Sequence, residues 1–473
     1  MKKLKIFLFF LSITILVNSQ SFVDVGANLL NLEIGDVEWG DYDNDGDLDV
    51  LISGQTEIAV YWFMVYRNDS NTNFVNINAE LENIRGWVSW GDYDNDMDLD
   101  ILVSGGYNYN EPIIKVYRND GSDIFVDIGF DLTQISGKSL WGDFDNDNDL
   151  DILIAGNSGF YPNTTTIIRI FENTGDAFFE RDPQLPSQLG DIAIGDYDQD
   201  GDEDFAISGP NEPNGEVYAT RIYRNDSNFI FTDIGANLPP LLNSQSLDWG
   251  DYDNDLDLDL IIAGQLVTPP FERICKIYKN NGNDNFIEDT INIITPLSFS
   301  NVIWGDYDND GDLDFLYSGY KNEDDEFTTK LYENQEGDFI ETDINIPVGG
   351  SVDFGDYDYD TDLDILILGR RENIIPTTRI YRNELFSTDI SKRYFNKSVK
   401  IYPNPYYDLI KIESNFHIIK IEICDLIGKT VVEKIIDAAN SYQVNLENLY
   451  SGVYFVKIYY KNKSICVQKI IKQ

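Results

Sequence analysis

The chain of 473 residues holds one histidine, three cysteines, three methionines, and only 34 lysines and arginines against 83 aspartates and glutamates. Each scarcity excludes something. One histidine and so few thiols argue against zinc, haem or iron–sulfur centres and against a histidine-based triad. A formal charge of −49 repels phosphate backbones and anionic lipid, so nucleic acid and membrane surfaces are poor partners and cations the natural ones. A membrane-spanning run is lacking as well. The apolar stretch Ile6–Val17 has 12 residues, too few to cross a bilayer. It follows Lys2, Lys3 and Lys5, and Val17 and Ser19 are small enough for a signal peptidase. Residues 1–19 therefore read as a signal peptide, with Gln20 as the mature terminus and no cysteine nearby for a lipid anchor. No stretch of residues 20–391 sustains a helical period.

What is present is apolar and aromatic enough, at 42% and 13%, to build a core despite the charge. The charge is divided unevenly. Residues 392–473 carry a net +6 and residues 20–391 a net −58. The chain is thus two electrostatic objects, and residues 385–398 read as the linker between domains at 20–384 and 399–473. Cys424 and Cys466 share the basic part and either pair in an oxidising compartment or stay as free buried thiols, like Cys275.

The acidic part is a repeat. WGDYDNDGDLDVLISG from Trp39 returns in six further variants, and its first glycine falls at 40, 91, 142, 195, 250, 305 and 355. A second echo ends each copy, VYRND at Asp69 and IYRNE at Glu384 being examples, and an aromatic opens a further strand at Phe74, Phe125, Phe179, Phe231, Phe286 and Phe339. Each unit reads as four strands. Four strands in about fifty residues, repeated radially, are a propeller blade. The last copy lacks its Phe strand, whereas Phe22-Val23-Asp24-Val25 has that character and no blade before it. An N-terminal strand completing the seventh blade closes the ring and removes exposed sheet edges. The expected fold is all-β: a seven-bladed β-propeller, then a small β domain.

Aspartates stand at positions 1, 3, 5, 7 and 9 of each loop, 35 of the 83 acids in all. In the first three loops they are Asp41, Asp43, Asp45, Asp47 and Asp49; Asp92, Asp94, Asp96, Asp98 and Asp100; Asp143, Asp145, Asp147, Asp149 and Asp151. The fourth and fifth have Asp196, Asp198, Asp200, Asp202 and Asp204, then Asp251, Asp253, Asp255, Asp257 and Asp259. The sixth and seventh have Asp306, Asp308, Asp310, Asp312 and Asp314, then Asp356, Asp358, Asp360, Asp362 and Asp364. Carboxylates at 1, 3, 5 and 9 with the main-chain carbonyl at 7 make an oxygen cage that suits Ca²⁺ better than Mg²⁺, which keeps its waters. Two carboxylates about 4 Å apart repel by roughly 4 kcal/mol at an effective dielectric near 20, so a compact loop calls for a cation. Up to seven structural calcium ions are expected, one per loop. Gly46, Gly201 and Gly311 suit a left-handed turn at position 6 and Asn148 tolerates it, while Met97, Leu256 and Thr361 resist it. Weaker binding or a different turn is expected in those three loops.

The D-x-D-x-D-G-x-x-D loop in a four-stranded unit resembles the FG-GAP and VCBS repeats of integrin α-subunit-type seven-bladed propellers. The resemblance covers about 22–384 and implies calcium held by these aspartates on one face, between the first and second strands. The tail, with Tyr402-Pro403-Asn404-Pro405, IKIEICDLIGK ending at Lys429 and Leu449–Lys457, resembles the type A sorting domain of the type IX secretion system, known from Bacteroidetes. It implies an immunoglobulin-like β-sandwich, contact with that machinery, and delivery to the cell surface or the outside.

No phosphate loop or nucleophile elbow stands out, and the sole histidine, His417, lies in the tail, so no catalytic residue is named. Trp39, Trp90, Trp141, Trp249 and Trp304 sit at fixed positions and read as packing between blades. The face opposite the loops offers Tyr107, Tyr109, Phe160, Tyr161, Phe271, Tyr320, Arg370 and Arg371 as groups able to stack on sugars or anchor a peptide. Inner-strand starts differ from blade to blade: Asp36, Trp87, Lys138, Asp191, Ser246, Asn301 and Ser351. The reading is a secreted binding or adhesion module for polysaccharide or protein, with Trp87, Lys138 and Arg370 among its ligand contacts. The alternative is a carbohydrate-active, lyase-like enzyme, for which Lys138 with Arg85 is the basic pair.

Overall fold

The computed structural model describes residues 21–384 apart from 70–72, 107–111, 132–134, 159–164, 176, 212–216, 243–245, 291–293, 322–325 and 336. It also describes residues 399–472 apart from 403–408, 425–428, 447–448, 450–451 and 461–464. The expected signal peptide and linker lie outside the described residues. The chain divides into two compact units, Gln20–Glu384 and one that includes Leu385–Gln473.

In the first unit the repeat folds as its pattern demands. Blade one is an antiparallel meander of Glu33–Gly40, Asp49–Gln55, Tyr61–Asn68 and Phe74–Asn76. Its second strand is buried on both faces, as is Asp100–Gly106 in blade two, so these segments read as continuous apolar runs rather than alternating ones. The same strand order recurs in seven four-stranded sheets. In the seventh, Gly349–Gly355, Asp364–Arg371 and Ile375–Glu384 are completed from the front of the chain by Ser21–Asp24, with Phe22 opposite Asn383. The innermost strands of consecutive blades touch, and that of blade seven touches that of blade one, so the ring is closed.

Aromatic stacking joins the blades. Each tryptophan before a loop stacks on the aromatic ring at position 2 of the preceding blade's loop: Trp90 on Tyr42 at 6.0 Å and 7°, Trp304 on Tyr252 at 6.0 Å and 5°. Trp39 on Tyr357, at 5.7 Å and 3°, closes the circle. The outer-strand phenylalanine tilts against each pair, as Phe125 does between Tyr42 and Trp90. In blade three this residue is Phe178, which packs on Tyr93 and Trp141, and not the expected Phe179, which is exposed. A phenylalanine doublet hides which member faces inward. A Cβ on Gly355 would lie 2.7 Å from the Trp39 ring, so the glycine before the loop is what lets the next blade's tryptophan seat.

The second unit is one antiparallel sheet of Val399–Tyr402, Leu409–Cys424, Thr430–Asn445, Gly452–Tyr460 and Ile465–Lys472. The long strand Leu409–Cys424 shifts register between Glu413 and Ile418, and the sheet encloses a core that includes Ile410, Ile421, Val456 and Ile458. Register sets Cys424 opposite Phe455 and Cys466 opposite Ile458, two strands apart on different rows. That separation exceeds the reach of a disulfide, so the pairing option does not hold.

Candidate cation loops and a groove on the opposite face

Each loop leaves an inner strand and is folded by its own carboxylates. In the second loop Asp92 accepts the Asp96 and Met97 N–H groups at 3.0 and 2.9 Å, and Asp96 accepts the Asp98 N–H at 2.9 Å. The same bonds recur around Asp143, Asp196, Asp251, Asp306 and Asp356. All seven position-6 residues are left-handed, Met97, Leu256 and Thr361 at φ 76°, 78° and 78° beside Gly46 at 90°. The expectation of a different turn in those loops is therefore corrected. The carboxylate of position 1 holds the position-6 N–H and overrides side-chain preference.

Position 9 is a buried pin. Asp49 accepts the Tyr42 N–H at 3.1 Å and the Asn68 N–H at 2.8 Å, tying the loop's start to the end of the third strand. Asp100, Asp151, Asp204, Asp259, Asp314 and Asp364 repeat this. The buried asparagine in each pair also donates its side chain to the preceding blade, as Asn119 does to the Tyr42 carbonyl at 2.8 Å. The sequence marks this echo only as the end of each copy and does not announce the pin; the available signal is an asparagine in all seven copies. Position 4 links the loops themselves: Asn44 donates to the Met97 carbonyl and to Asp98 at 2.8 and 2.9 Å, and Asn95 to Asn148 and Asp149. Side chains at position 7 thus serve the neighbouring loop, leaving the carbonyl there for a ligand role.

What remains converges on one point. Carboxylate oxygens of Asp41, Asp43 and Asp49 lie within 4.8 Å of one another, as do those of Asp143, Asp145 and Asp151 and of Asp196, Asp198 and Asp204. In the second and fifth loops the trio is Asp92, Asp94 and Asp96, and Asp251, Asp253 and Asp255. At position 3, one oxygen each of Asp145, Asp253 and Asp358 is buried with no hydrogen-bond partner. Burial first, then the neighbouring aspartates, pushes Asp145 and Asp358 up to about 6. Burial likewise lifts Asp49 to about 8 and Asp100 to about 7 against the pull of their backbone N–H bonds. Orphaned, crowded oxygens whose charge is disfavoured fit a hard cation, which would take the place of the protons.

The opposite face is not symmetric. A cavity of about 1110 Å³ lies among blades six, seven and one, lined by Ile34, Phe299, Tyr320, Phe327, Arg370 and Ile374 around a glycine floor that includes Gly349 and Gly350. Inner strands of blades one and six are bulged, between Glu33 and Asp36 and between Ser298 and Asn301. Each bulge turns one residue left-handed, Ile34 at φ 51° and Phe299 at φ 49°, and Ile374 in the blade-seven turn stands at φ 59°. All three side chains are exposed, Phe299 at 71%. Such a backbone costs about 1–2 kcal/mol at each non-glycine position. Arg370 grips Glu33 through two bonds of 2.7 and 3.2 Å, joining blade seven to blade one at the groove wall.

Residues 41–103, 143–207 and 196–262 match the FG-GAP-like repeat, each match spanning two loops, and residues 400–473 match the secretion system C-terminal sorting domain. The chain carries FG-GAP-like repeats and a type IX sorting tail. The tail directs the chain through type IX secretion to the cell surface or beyond it. No helix among the described residues is long and apolar enough to cross a membrane. No curated protein matches in sequence. Similar solved structures include the extracellular domain of a hybrid two component system from B. thetaiotaomicron. It is 12% identical over 94% of this chain and 55% of that one, with a TM-score of 0.43, so the chain spans about half that neighbour's length. Others are an alpha-l-arabinofuranosidase from Fusarium graminearum in complex with an iminosugar inhibitor (13%; 63% and 91%; 0.38) and the V. cholerae biofilm matrix protein Bap1 (10%; 93% and 81%; 0.32). These likenesses are too distant to speak for this chain's chemistry.

The propeller places the expected ligand residues in three ways. Tyr107, Tyr109, Phe160 and Tyr161 lie outside the described residues. Arg370 and Tyr320 line the groove. The inner-strand residues share one register but mostly serve as fasteners. Asp36 accepts the Val88 N–H at 3.3 Å, Asp191 the Leu247 N–H at 2.8 Å, Ser246 the Val302 N–H at 3.2 Å and Asn301 the Val352 N–H at 3.3 Å. Ser351 donates to Asp36 at 2.5 Å, and Lys138 donates to Asp191 at 2.6 Å and to the Ile192 carbonyl at 3.1 Å. Trp87 stays 41% exposed. Arg85 donates to Gln55 at 2.7 Å and lies over the Tyr61 ring at 5.6 Å.

Proposed function

We propose that this is an extracellular binding or adhesion module, stabilised by calcium in its aspartate loops, that takes a polysaccharide or protein ligand in the groove among blades six, seven and one. The observation that carries the reading is the convergence of three left-handed apolar residues, Ile34, Phe299 and Ile374, on one cavity. Bulges re-aim side chains, and strain collects where function over-determines the backbone. Glu326 and Glu372 in the groove lining, with the propeller's net negative charge, favour an uncharged or cationic ligand over an acidic one. The calcium part rests on the buried, unpartnered oxygens of Asp145 and Asp358 at position 3.

The test is a screen of glycans and extracellular proteins against the chain from residue 20 onward, with and without chelator, beside Phe299→Ser and Ile374→Ser. Retention that needs calcium and falls at least tenfold in both variants, at unchanged melting temperature, is the expected result. Retention equal in all three proteins removes the groove. Unsaturated or cleaved sugar in the same wells replaces binding by catalysis, the lyase-like alternative.

A further inference from the structure

In every blade the residue just before the buried asparagine of the third strand faces that blade's aspartate loop, and its charge varies. Blades one, two, four and seven carry Arg67, Arg118, Arg224 and Arg382, blades three and six carry Glu172 and Glu333, and blade five alone carries a lysine, Lys279. Each arginine is drawn aside by an acid two residues on. Arg67 pairs with Asp69 at 2.7 Å, Arg118 with Asp120 at 2.7 Å, Arg224 with Asp226 at 2.9 Å, and Arg382 with Glu384. Arg67 and Arg224 also reach the next blade, to Asp123 and Asp284, both at 2.6 Å. Blade five lacks that acid, because its turn has Asn281 where the others have Asp69 or Asp120. The one acid on that turn, Asp284, is taken by Arg224 of blade four, and the Lys279 ammonium enters the loop, pairing with Asp253 and, at 3.1 Å, with Asp255.

Those are positions 3 and 5 of the fifth loop, two of the three acids whose oxygens converge there. We propose that Lys279 is the resident cation of the fifth loop, so that this loop closes without calcium while the other six take an ion each. The inference rests on the calcium reading of the other loops. An ammonium is a compact point charge on a flexible stem and can reach a site that a forked guanidinium held by its turn cannot. A divalent ion seated on the same oxygens would meet that ammonium at contact distance, where like-charge repulsion exceeds the binding strength of a millimolar extracellular site. The amine is tethered, so its local concentration at the loop outruns that of free calcium. Blade six has the opposite sign at this place: Glu333 lies near Asp308, whose carboxyl burial and Asp310 already push up to about 6. One residue position therefore sets whether a loop carries its own positive charge or must import it.

The count of bound ions decides. The chain from residue 20 onward is equilibrated in millimolar calcium and its ions are counted by native mass spectrometry and by equilibrium dialysis, alongside Lys279→Met and Asn281→Asp. The second variant keeps the lysine but supplies the turn acid of blades one and two, which should draw the ammonium off the loop. Six ions on the unaltered chain and seven on each variant are expected. Equal counts on all three chains, or seven on the unaltered one, overturn the role of Lys279 and leave calcium binding intact. No ions on any chain overturns the calcium reading itself.

Discussion

At position 6 of an aspartate loop the backbone turns left-handed and the side chain points to water; Met97 is 79% exposed and Leu256 76%. Exposure removes any packing gain, so the conformational cost stands alone. Met97→Gly and Leu256→Gly relieve it and each should raise stability by about 1 kcal/mol. Chemical denaturation at saturating calcium measures this, and a loss of stability in either variant would show that the turn is not strained. These residues also show where the sequence was legible and where it was not. Their reluctance to turn left-handed was readable from side-chain type; the two carboxylate bonds that impose the turn were not, because a list of odd-numbered aspartates does not say which accept N–H groups and which keep open oxygens. The Phe178–Phe179 doublet is the same lesson in a strand, where adjacent identical residues carry no facing information.

Among the elements, the inner strands face the axis with an edge that no further strand covers. The fold answers with side chains of the preceding blade. Asp353 accepts the Trp39 N–H at 2.8 Å, Glu38 the Trp90 N–H at 2.9 Å and Asp248 the Trp304 N–H at 2.9 Å. These bonds were illegible beforehand. They fall between residues 52 and 56 positions apart, or 314 where blade seven meets blade one, in strands whose inward side varies from blade to blade, and that variation reads as a set of ligand contacts. Burial pushes Asp353 up to about 7, with the charges of Asp36 and Asp248 adding to it and the Trp39 and Phe354 N–H bonds opposing. An unfolded aspartate titrates near 3.9, so between about pH 4 and 7 the folded state binds more protons and stability falls as pH rises. The channel side chain is only partly shielded, which reduces the effect to the order of 1 kcal/mol. Asp353→Asn keeps an acceptor for Trp39 and removes the titration. Its advantage over the parent should be near zero at pH 4 and reach that value by pH 8, with calcium held constant; parallel stability curves would place the Asp353 charge in free water.

The larger unit is a ring, and a ring fails at its seam. Blade number, strand order and the missing outer strand were all legible, because a period of about fifty residues with an offset between its ends admits few other topologies. The groove was legible only in part: Arg370 and Tyr320 were marked by chemistry, but Ile34 and Phe299 are apolar residues in strands that a period-two reading sends inward, and nothing local announces a bulge. The seam joins a shared apolar core, Val37, Val50 and Ile52 of blade one against Leu366, Leu368 and Ile380 of blade seven, to more specific contacts. Phe22 packs on Tyr307 at 6.3 Å, Ser21–Asp24 pairs with Tyr381–Glu384, Trp39 stacks on Tyr357, and Arg370 grips Glu33. Phe22→Asp puts a charge into the seventh blade's core and releases the N-terminal strand, leaving the Ile375–Glu384 edge open to pair with another chain. It should cost about 3 kcal/mol or more, make the N-terminal segment the first site of proteolysis, and cause concentration-dependent association visible by light scattering. The equivalent change Phe125→Asp, in a blade closed within its own sequence, should destabilise comparably without freeing a terminus. If the two variants associate alike, closure by the N-terminal strand is not what keeps the sheet edges apart.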